Sequence, residues 1–334
     1  MSLLRLSWRH RMTLVRIIKD WDYPALFRQT PGYSGFWDGI QFTEDSVEDC
    51  DYVVVLNRSL QDVTLRCPPE NVWALIQEPP NEFFKFLHRG HPGYARVYMQ
   101  DEQLSGPQFI LSQPALPWHI CRSYDQLLRA PFPTKSREIS CITSNAMAFE
   151  GHRRRLRFIE TIKAWLDFDL YGRGFHPVAD KWDALAPYRY TIVIENFRNS
   201  YYWSEKIADS LLAGTIPFYY GCTRIHDYFP PEVVVPIDIE HPAVAAATIQ
   251  KTVASNLWYS SRDALENSRN LILHRYQIFP FLSEEIKKNE SLGRRAARKL
   301  IRIAAQPDER PRWLQRQTRQ LIHLAGRIYG RRLS

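Results

Sequence analysis

Ile194-Glu195-Asn196-Phe197-Arg198-Asn199-Ser200-Tyr201-Tyr202-Trp203-Ser204-Glu205-Lys206 is the stretch from which the fold is read. The apolar run 190–194 that leads into it reads as a buried strand, and 204–213 reads as a helix closed by Gly214 at the C′ position. A strand, a short polar loop and a helix start make one unit of an open α/β sheet, in which ligands gather beyond the carboxyl ends of strands. The free amides and dipole of the helix start suit a phosphate or a ribose hydroxyl. Lys206 adds a positive charge there, and Glu205 can accept hydrogen bonds from hydroxyl groups. The same residues also fit a structural reading, with Ser204 as N-cap and Glu205 favouring the dipole. Both readings stand at this level.

Outward from this stretch, short apolar runs alternate with segments of helical period. Strands are expected at 13–19, 52–57, 72–77, 96–99 and 108–111, and, after a connection through 114–135, at 138–144, 166–171, 190–194, 216–220 and 233–237. Helices are expected at about 154–165, 204–213 and 243–267. This order predicts an α/β protein of two Rossmann-like domains facing a central cleft. A chain of 334 residues is long enough for two cores. The expected divisions are 1–135, 136–290 and a basic helical C-terminal tail, 291–334.

The formal charge of +8 is unevenly spread. Residues 294–334 hold 12 Lys or Arg and 2 acids, a net +10, which leaves the rest with 32 basic and 34 acidic groups, a net −2. In the tail, Trp313, Leu314, Leu321, Leu324 and Ile328 recur at helical spacing among Arg312, Arg316, Arg319 and Arg327. That pattern predicts a peripheral contact with an anionic membrane; docking of the stripe on the protein's own core or on a second subunit is the competing reading. A basic tail can also mark a nucleic-acid-binding protein. Against that reading, the charge is confined to the tail, no nucleic-acid-binding motif is present, and no nucleic acid is expected as a partner.

Five scattered cysteines without a CxxC pair read as reduced thiols in a cytoplasmic protein. The N-terminal residues lack the apolar centre of a signal peptide. No run approaches the length of a membrane span.

The residues that follow strands are Glu78-Pro79-Pro80, Gly172-Arg173-Gly174, Glu195-Asn196 and Gly221. Four arginines, Arg153, Arg154, Arg155 and Arg157, crowd one helix start, where the dipole repels cations. A bound anion would relieve that conflict; a solvated basic face is the alternative, and charge alone does not rank the four. Asp167-Phe168-Asp169 has the form of a DxD metal motif, with both carboxylates on one face of the expected strand. Such motifs usually follow a strand rather than lie inside one. No GxSxG, HExxH or GxxxxGK[ST] pattern is present.

The run from Tyr188 to Asp238 contains Glu195-Asn196, Tyr202-Trp203-Ser204-Glu205-Lys206, Ile216-Pro217 to Gly221 and Tyr228-Phe229-Pro230. It resembles the donor-binding region of family 10 glycosyltransferases, the α-1,3/1,4-fucosyltransferases, particularly the bacterial ones. The stretch from Ser144-Asn145 to Ile162 resembles the family more weakly. The resemblance implies a GT-B fold with an acceptor-side first domain and a nucleotide-sugar-binding second domain. It further implies inverting transfer of fucose from GDP-fucose to a hydroxyl of an acceptor oligosaccharide or glycolipid, with no essential divalent metal. Carried over residue by residue, it implies donor contacts at Arg155, Asn196, Tyr202, Glu205 and Lys206, and a catalytic base at Glu78, with Glu82 and Glu44 as competitors. A transferase of the same fold using another nucleotide sugar remains open here.

Overall fold

The computed structural model describes residues 12–89, 93–291, 297–313 and 315. In chain order the strands are β1 (Thr13–Lys19), β2 (Phe36–Trp37), β3 (Ile40–Thr43), β4 (Tyr52–Leu56), β5 (Val63–Cys67), β6 (Val72–Leu75), β7 (Arg96–Met99), β8 (Phe109–Leu111), β9 (Arg137–Ile142), β10 (Asp169–Tyr171), β11 (Tyr188–Ile194), β12 (Ile216–Tyr220), β13 (Val235–Pro236) and β14 (Lys299–Ile303). The helices are α1 (Lys85–His88), α2 (Tyr124–Arg129), α3 (Glu150–Ile162), α4 (Glu205–Leu212), α5 (Pro242–Ala254), α6 (Leu257–Ser260), α7 (Arg262–Leu271) and α8 (Ile278–Ser291).

Two sheets carry the fold. The first has the order β2-β3-β1-β4-β6-β7-β8, parallel except for the β2–β3 pair, and the second is the parallel sheet β10-β9-β11-β12-β13. Central strands of such sheets are covered on both faces and read as continuous apolar runs. Tyr52-Val53-Val54-Val55-Leu56 is buried at every position. In the first sheet the strand order reverses direction between β1 and β4, and in the second between β9 and β11. These are the topological switch points at which open α/β sheets bind ligands.

The expected division at 135 and 290 does not follow the cores. Trp118, Ile120, Tyr124, Leu127 and Phe132 pack into the second core, because this apolar stretch covers α7 and the second sheet. Conversely, Ile278, Phe279, Leu282 and Ile286 of α8 pack beneath the first sheet with Phe42, Trp73 and Tyr98. The expected helical tail is not helical at 299–303. Lys299–Ile303 forms the strand β14, antiparallel to β5, where alternating Val63, Leu65 and Cys67 need a cover that Ile301 and Ile303 supply. Of the expected amphipathic stripe, Trp313 meets the ring of Phe83 at 6.2 Å, while Leu314, Leu321, Leu324, Ile328, Arg316, Arg319 and Arg327 lie outside the described residues. No helix among the described residues is long and apolar enough to cross a membrane.

Candidate functional site

Glu195, at the carboxyl end of β11, organises the start of α4. Its side chain is fully buried and accepts hydrogen bonds from the Ser204 amide (2.8 Å), the Ser204 hydroxyl (2.8 Å) and Lys206 Nζ (3.1 Å). Ser204 caps the helix, accepting from the Lys206 amide at 3.4 Å. The two sequence readings of this segment therefore coexist: Ser204 is an N-cap, and the cap is tied to a charge cluster. Burial works against the Lys206 ammonium, but Glu195 and Glu205 outweigh it and raise its pKa.

Glu205 lies one residue earlier and is held from the other side. Its Oε1 accepts from Lys181 Nζ at 3.1 Å and stands 3.8 Å from both Lys206 Nζ and His119 Nδ1. Burial pushes its carboxyl up, yet Lys181, Lys206 and His119 hold it well below the usual range. Lys181 also bonds Asp209, one turn further along α4, and Asp209 in turn accepts from the backbone amides of His119 and Ile120. This fastens the inter-domain connection to α4. Tyr202 is buried, and burial together with Glu195, Glu78 and Glu205 holds its hydroxyl well above its ordinary pKa.

The four arginines of α3 separate cleanly. Arg153 and Arg157 pair with Glu150, and Arg154 pairs with Glu240, all at the surface. Arg155 is buried and bonds instead to Asn196 Oδ1 (2.6 Å) and to the Ser144 carbonyl (3.3 Å). It thus spans the residues that follow β9 and β11, across the switch point of the second sheet. Among the described residues no carboxylate reaches it within ion-pair distance, and its Nε has no hydrogen-bond partner. One turn earlier, His152 has an unpartnered Nδ1, and its pKa is lowered to about 4 by burial and then by Arg155, Lys206, Arg173 and Arg153. A buried cation with no anion among the described residues, near a histidine kept neutral by burial and by neighbouring cations, is a setting that an incoming phosphate group would complete. Gly151 makes the approach possible: a Cβ there would lie 2.1 Å from the Asn196 carbonyl oxygen.

Glu78 faces this cluster from the first domain. It follows β6, and its carboxyl is raised to about 7, first by burial and then by Asp20, with Arg310 lowering it, Glu205 raising it and Lys206 lowering it. The charges of Glu205 and Lys206, on the second domain, thus act on Glu78. Of its competitors, Glu44 is tied to Lys19 at 2.9 Å and Glu82 is exposed. The loop after Glu78 reaches across, where Phe83 and Phe84 meet Phe149 at 4.7 and 6.3 Å.

Asp167 and Asp169 are not brought to this place. The strand β10 begins only at Asp169, so that residue sits at the amino end of the sheet, opposite the carboxyl ends. There it accepts from Arg137 (3.0 Å) and Tyr188 (2.7 Å). The sequence reading missed Lys181, Asp209, His119 and His152. Two of them had a signal: Asp209 is four residues after Glu205 and His152 three before Arg155, each sharing a helix face with a named residue.

Residues 132–259 match the family model described as Glycosyltransferase family 10 (fucosyltransferase) C-term. No curated protein matches the sequence. Among solved structures, an α1,3-fucosyltransferase is 15% identical, with a TM-score of 0.47 over 83% of this chain and 94% of that one. An α1,3-fucosyltransferase with GDP-fucose is 16% identical, with a TM-score of 0.45 over 83% and 95%. A glycosyltransferase from Rickettsia africae ESF-5 is 8% identical, with a TM-score of 0.47 over 86% and 100%.

Proposed function

We propose, from the match of residues 132–259 to the family 10 glycosyltransferase model, that the protein is an inverting fucosyltransferase that moves fucose from GDP-fucose to a hydroxyl of an acceptor glycan. The observation that carries this reading is the family match itself, because Arg155, Asn196, Tyr202, Glu205 and Lys206 all fall within the matched stretch 132–259. The geometry supports it: these side chains gather at the carboxyl ends of β9 and β11 with a buried, carboxylate-free Arg155 among them.

In the proposed reaction Glu78 takes the proton of the acceptor hydroxyl as its oxygen attacks the anomeric carbon. The bond from that carbon to the diphosphate breaks, and the electron pair leaves with GDP. Arg155, Lys206 and the amides at the start of α4 stabilise the charge that gathers on the departing diphosphate. Glu205, charged and held by Lys181, accepts from hydroxyls of the bound sugar. The acceptor is an oligosaccharide or a glycolipid, and an α-1,3 linkage is the one suggested by the family. Peripheral contact with an anionic membrane is proposed for the tail, residues 294–334.

Transfer and donor hydrolysis measured across GDP-fucose, GDP-mannose, UDP-glucose and UDP-N-acetylglucosamine test the donor. The expected result is turnover with GDP-fucose, undiminished in excess EDTA. Turnover with a UDP-sugar alone would replace the proposed donor, and loss in EDTA with recovery in Mn²⁺ would bring a metal into the reaction.

A further inference from the structure

The C-terminal residues past β14 return to the cleft by way of the first sheet's switch point. Asp20 follows β1 and Asn57-Arg58 follow β4, and the two sides are joined where Asp20 accepts from Asn57 Nδ2 and from Arg58 Nε, each at 3.0 Å. Onto this pair lies the segment 306–313. The Gln306 amide bonds the Ser59 carbonyl (2.9 Å), Arg58 Nη1 reaches the Gln306 carbonyl (3.3 Å), and Arg58 Nη2 stands 3.5 Å from Asp308. Asp308 accepts from the Arg310 guanidinium, Nε to Oδ1 at 2.8 Å and Nη2 to Oδ2 at 2.6 Å, and from the Arg310 amide at 3.1 Å. The guanidinium then rests over the ring of Phe84 at 5.5 Å, on the loop that Glu78 begins. Asn57 closes the circle, since its Oδ1 accepts from the amide of Gln77, the residue before Glu78, at 2.8 Å.

We propose that Arg310 is a positioning residue of the transfer reaction: the segment 306–313 is a strap across the carboxyl ends of β1 and β4 that holds this guanidinium, paired with Asp308, over Phe84 on the loop that Glu78 begins, so that its charge acts on Glu78. The inference rests on the reading of Glu78 as the base. A carboxylate in that position faces Asp20 from the end of β1, Glu205 and Lys206 from α4, and His88 from α1, whose Nε2 lies 2.7 Å from the Glu78 carbonyl oxygen. Burial keeps His88 neutral near pH 7, with its pKa lowered to about 4. Asp20 and Glu205 repel charge on Glu78, and Lys206 is shared with Glu195. Among the described residues Arg310 is the cation that lies over the loop begun by Glu78, and its side chain is only 14% exposed. Its charge is felt by Glu78 and Asp20 together. The arrangement gives the basic C-terminal region a place in the chemistry, which sequence periodicity had assigned to surface contact.

The test is the pH dependence of kcat for GDP-fucose hydrolysis by the full-length chain, in wild type and in the variants Arg310→Gln, Arg310→Lys and Glu78→Gln, with GDP affinity measured in parallel by calorimetry. Removing a nearby cation raises a carboxyl pKa, so in Arg310→Gln the acidic limb should move to higher pH by about one unit. Turnover on that limb then falls about tenfold and recovers at alkaline pH. Arg310→Lys should keep the wild-type limb, and GDP affinity should be unchanged in both, since the donor groups lie on the other domain. An unmoved limb in Arg310→Gln, with Glu78→Gln inactive throughout, overturns the inference and leaves Glu78 as the base. A limb in Arg310→Lys displaced as far as in Arg310→Gln also overturns it, because charge would not be what matters. Wild-type turnover in Glu78→Gln removes the base reading and the inference with it.

Discussion

Arg155 and Arg153 stand two positions apart on one helix and carry the same charge, yet the structure gives them different work. Arg153 ends in a surface pair with Glu150, which solvent screens. Arg155 is buried between Asn196 and the Ser144 carbonyl, with no carboxylate of the described residues paired to it. Titration calorimetry should therefore find GDP binding weakened by about 1.5–3 kcal/mol in Arg155→Ala and unchanged in Arg153→Ala. Equal affinities in the two variants would move the diphosphate elsewhere. Lys206→Ala is a poorer probe, because it leaves the buried Glu195 carboxylate without its cation, a loss that costs about 3–5 kcal/mol of stability by itself. The choice among the four arginines was legible only through family resemblance, since their charges are identical and burial decides between them. Glu195 was visible as a residue after a strand, but its role depends on a contact nine residues along the chain.

At the level of elements, the start of α3 is pressed against the loop that follows β11. Alanine normally improves a helix relative to glycine by about 0.5–1 kcal/mol. At Gly151 the added Cβ would meet the Asn196 carbonyl at 2.1 Å, and that is backbone which cannot swing away. Gly151→Ala should accordingly lower the thermal midpoint, with an overpacking cost of about 1–3 kcal/mol, and weaken GDP binding as Arg155 is displaced from Asn196. A raised midpoint would mean that helix propensity prevails and the contact is soft. Elements with strong patterns were readable: β1, β7 and β12 fall at the expected residues, and α4 begins at its Ser204 cap. Those that were missed lack an intrinsic pattern of their own. β14 is Lys-Leu-Ile-Arg-Ile, charged and half-exposed, and is a strand because β5 offers it an edge. The strand expected at 166–171 shrank to three residues because Leu166 serves the second core at the end of α3 rather than the sheet.

Over the whole molecule, His88, His119 and His152 each have a pKa lowered to about 4, chiefly by burial. A histidine whose folded pKa lies below its unfolded value near 6.5 contributes stability that is complete above that value. The contribution is lost as pH falls toward 4. Glu78, raised to about 7, works in the opposite direction, costing stability as pH rises from about 4.5 to 7. With three groups against one, the urea midpoint should drop between pH 6.5 and 4, and Glu78→Gln should raise it at pH 8 more than at pH 4. A midpoint flat across the acidic range would place the three imidazoles in wetter surroundings. The two-domain layout could be read from the alternation of strands and helices, but the crossings between domains could not, because α8 has the same amphipathic pattern whichever sheet it covers. Those crossings govern how the protein is made. The second core is drawn from Trp118 to Tyr276, a continuous length of chain, whereas the first waits for Ile278 to Ile286 and for β14. Chains emerge from the ribosome amino end first. The domain synthesised first must therefore stand with one face of its sheet uncovered while the other is completed, and the nascent chain closes its halves in the reverse of the order in which it is translated.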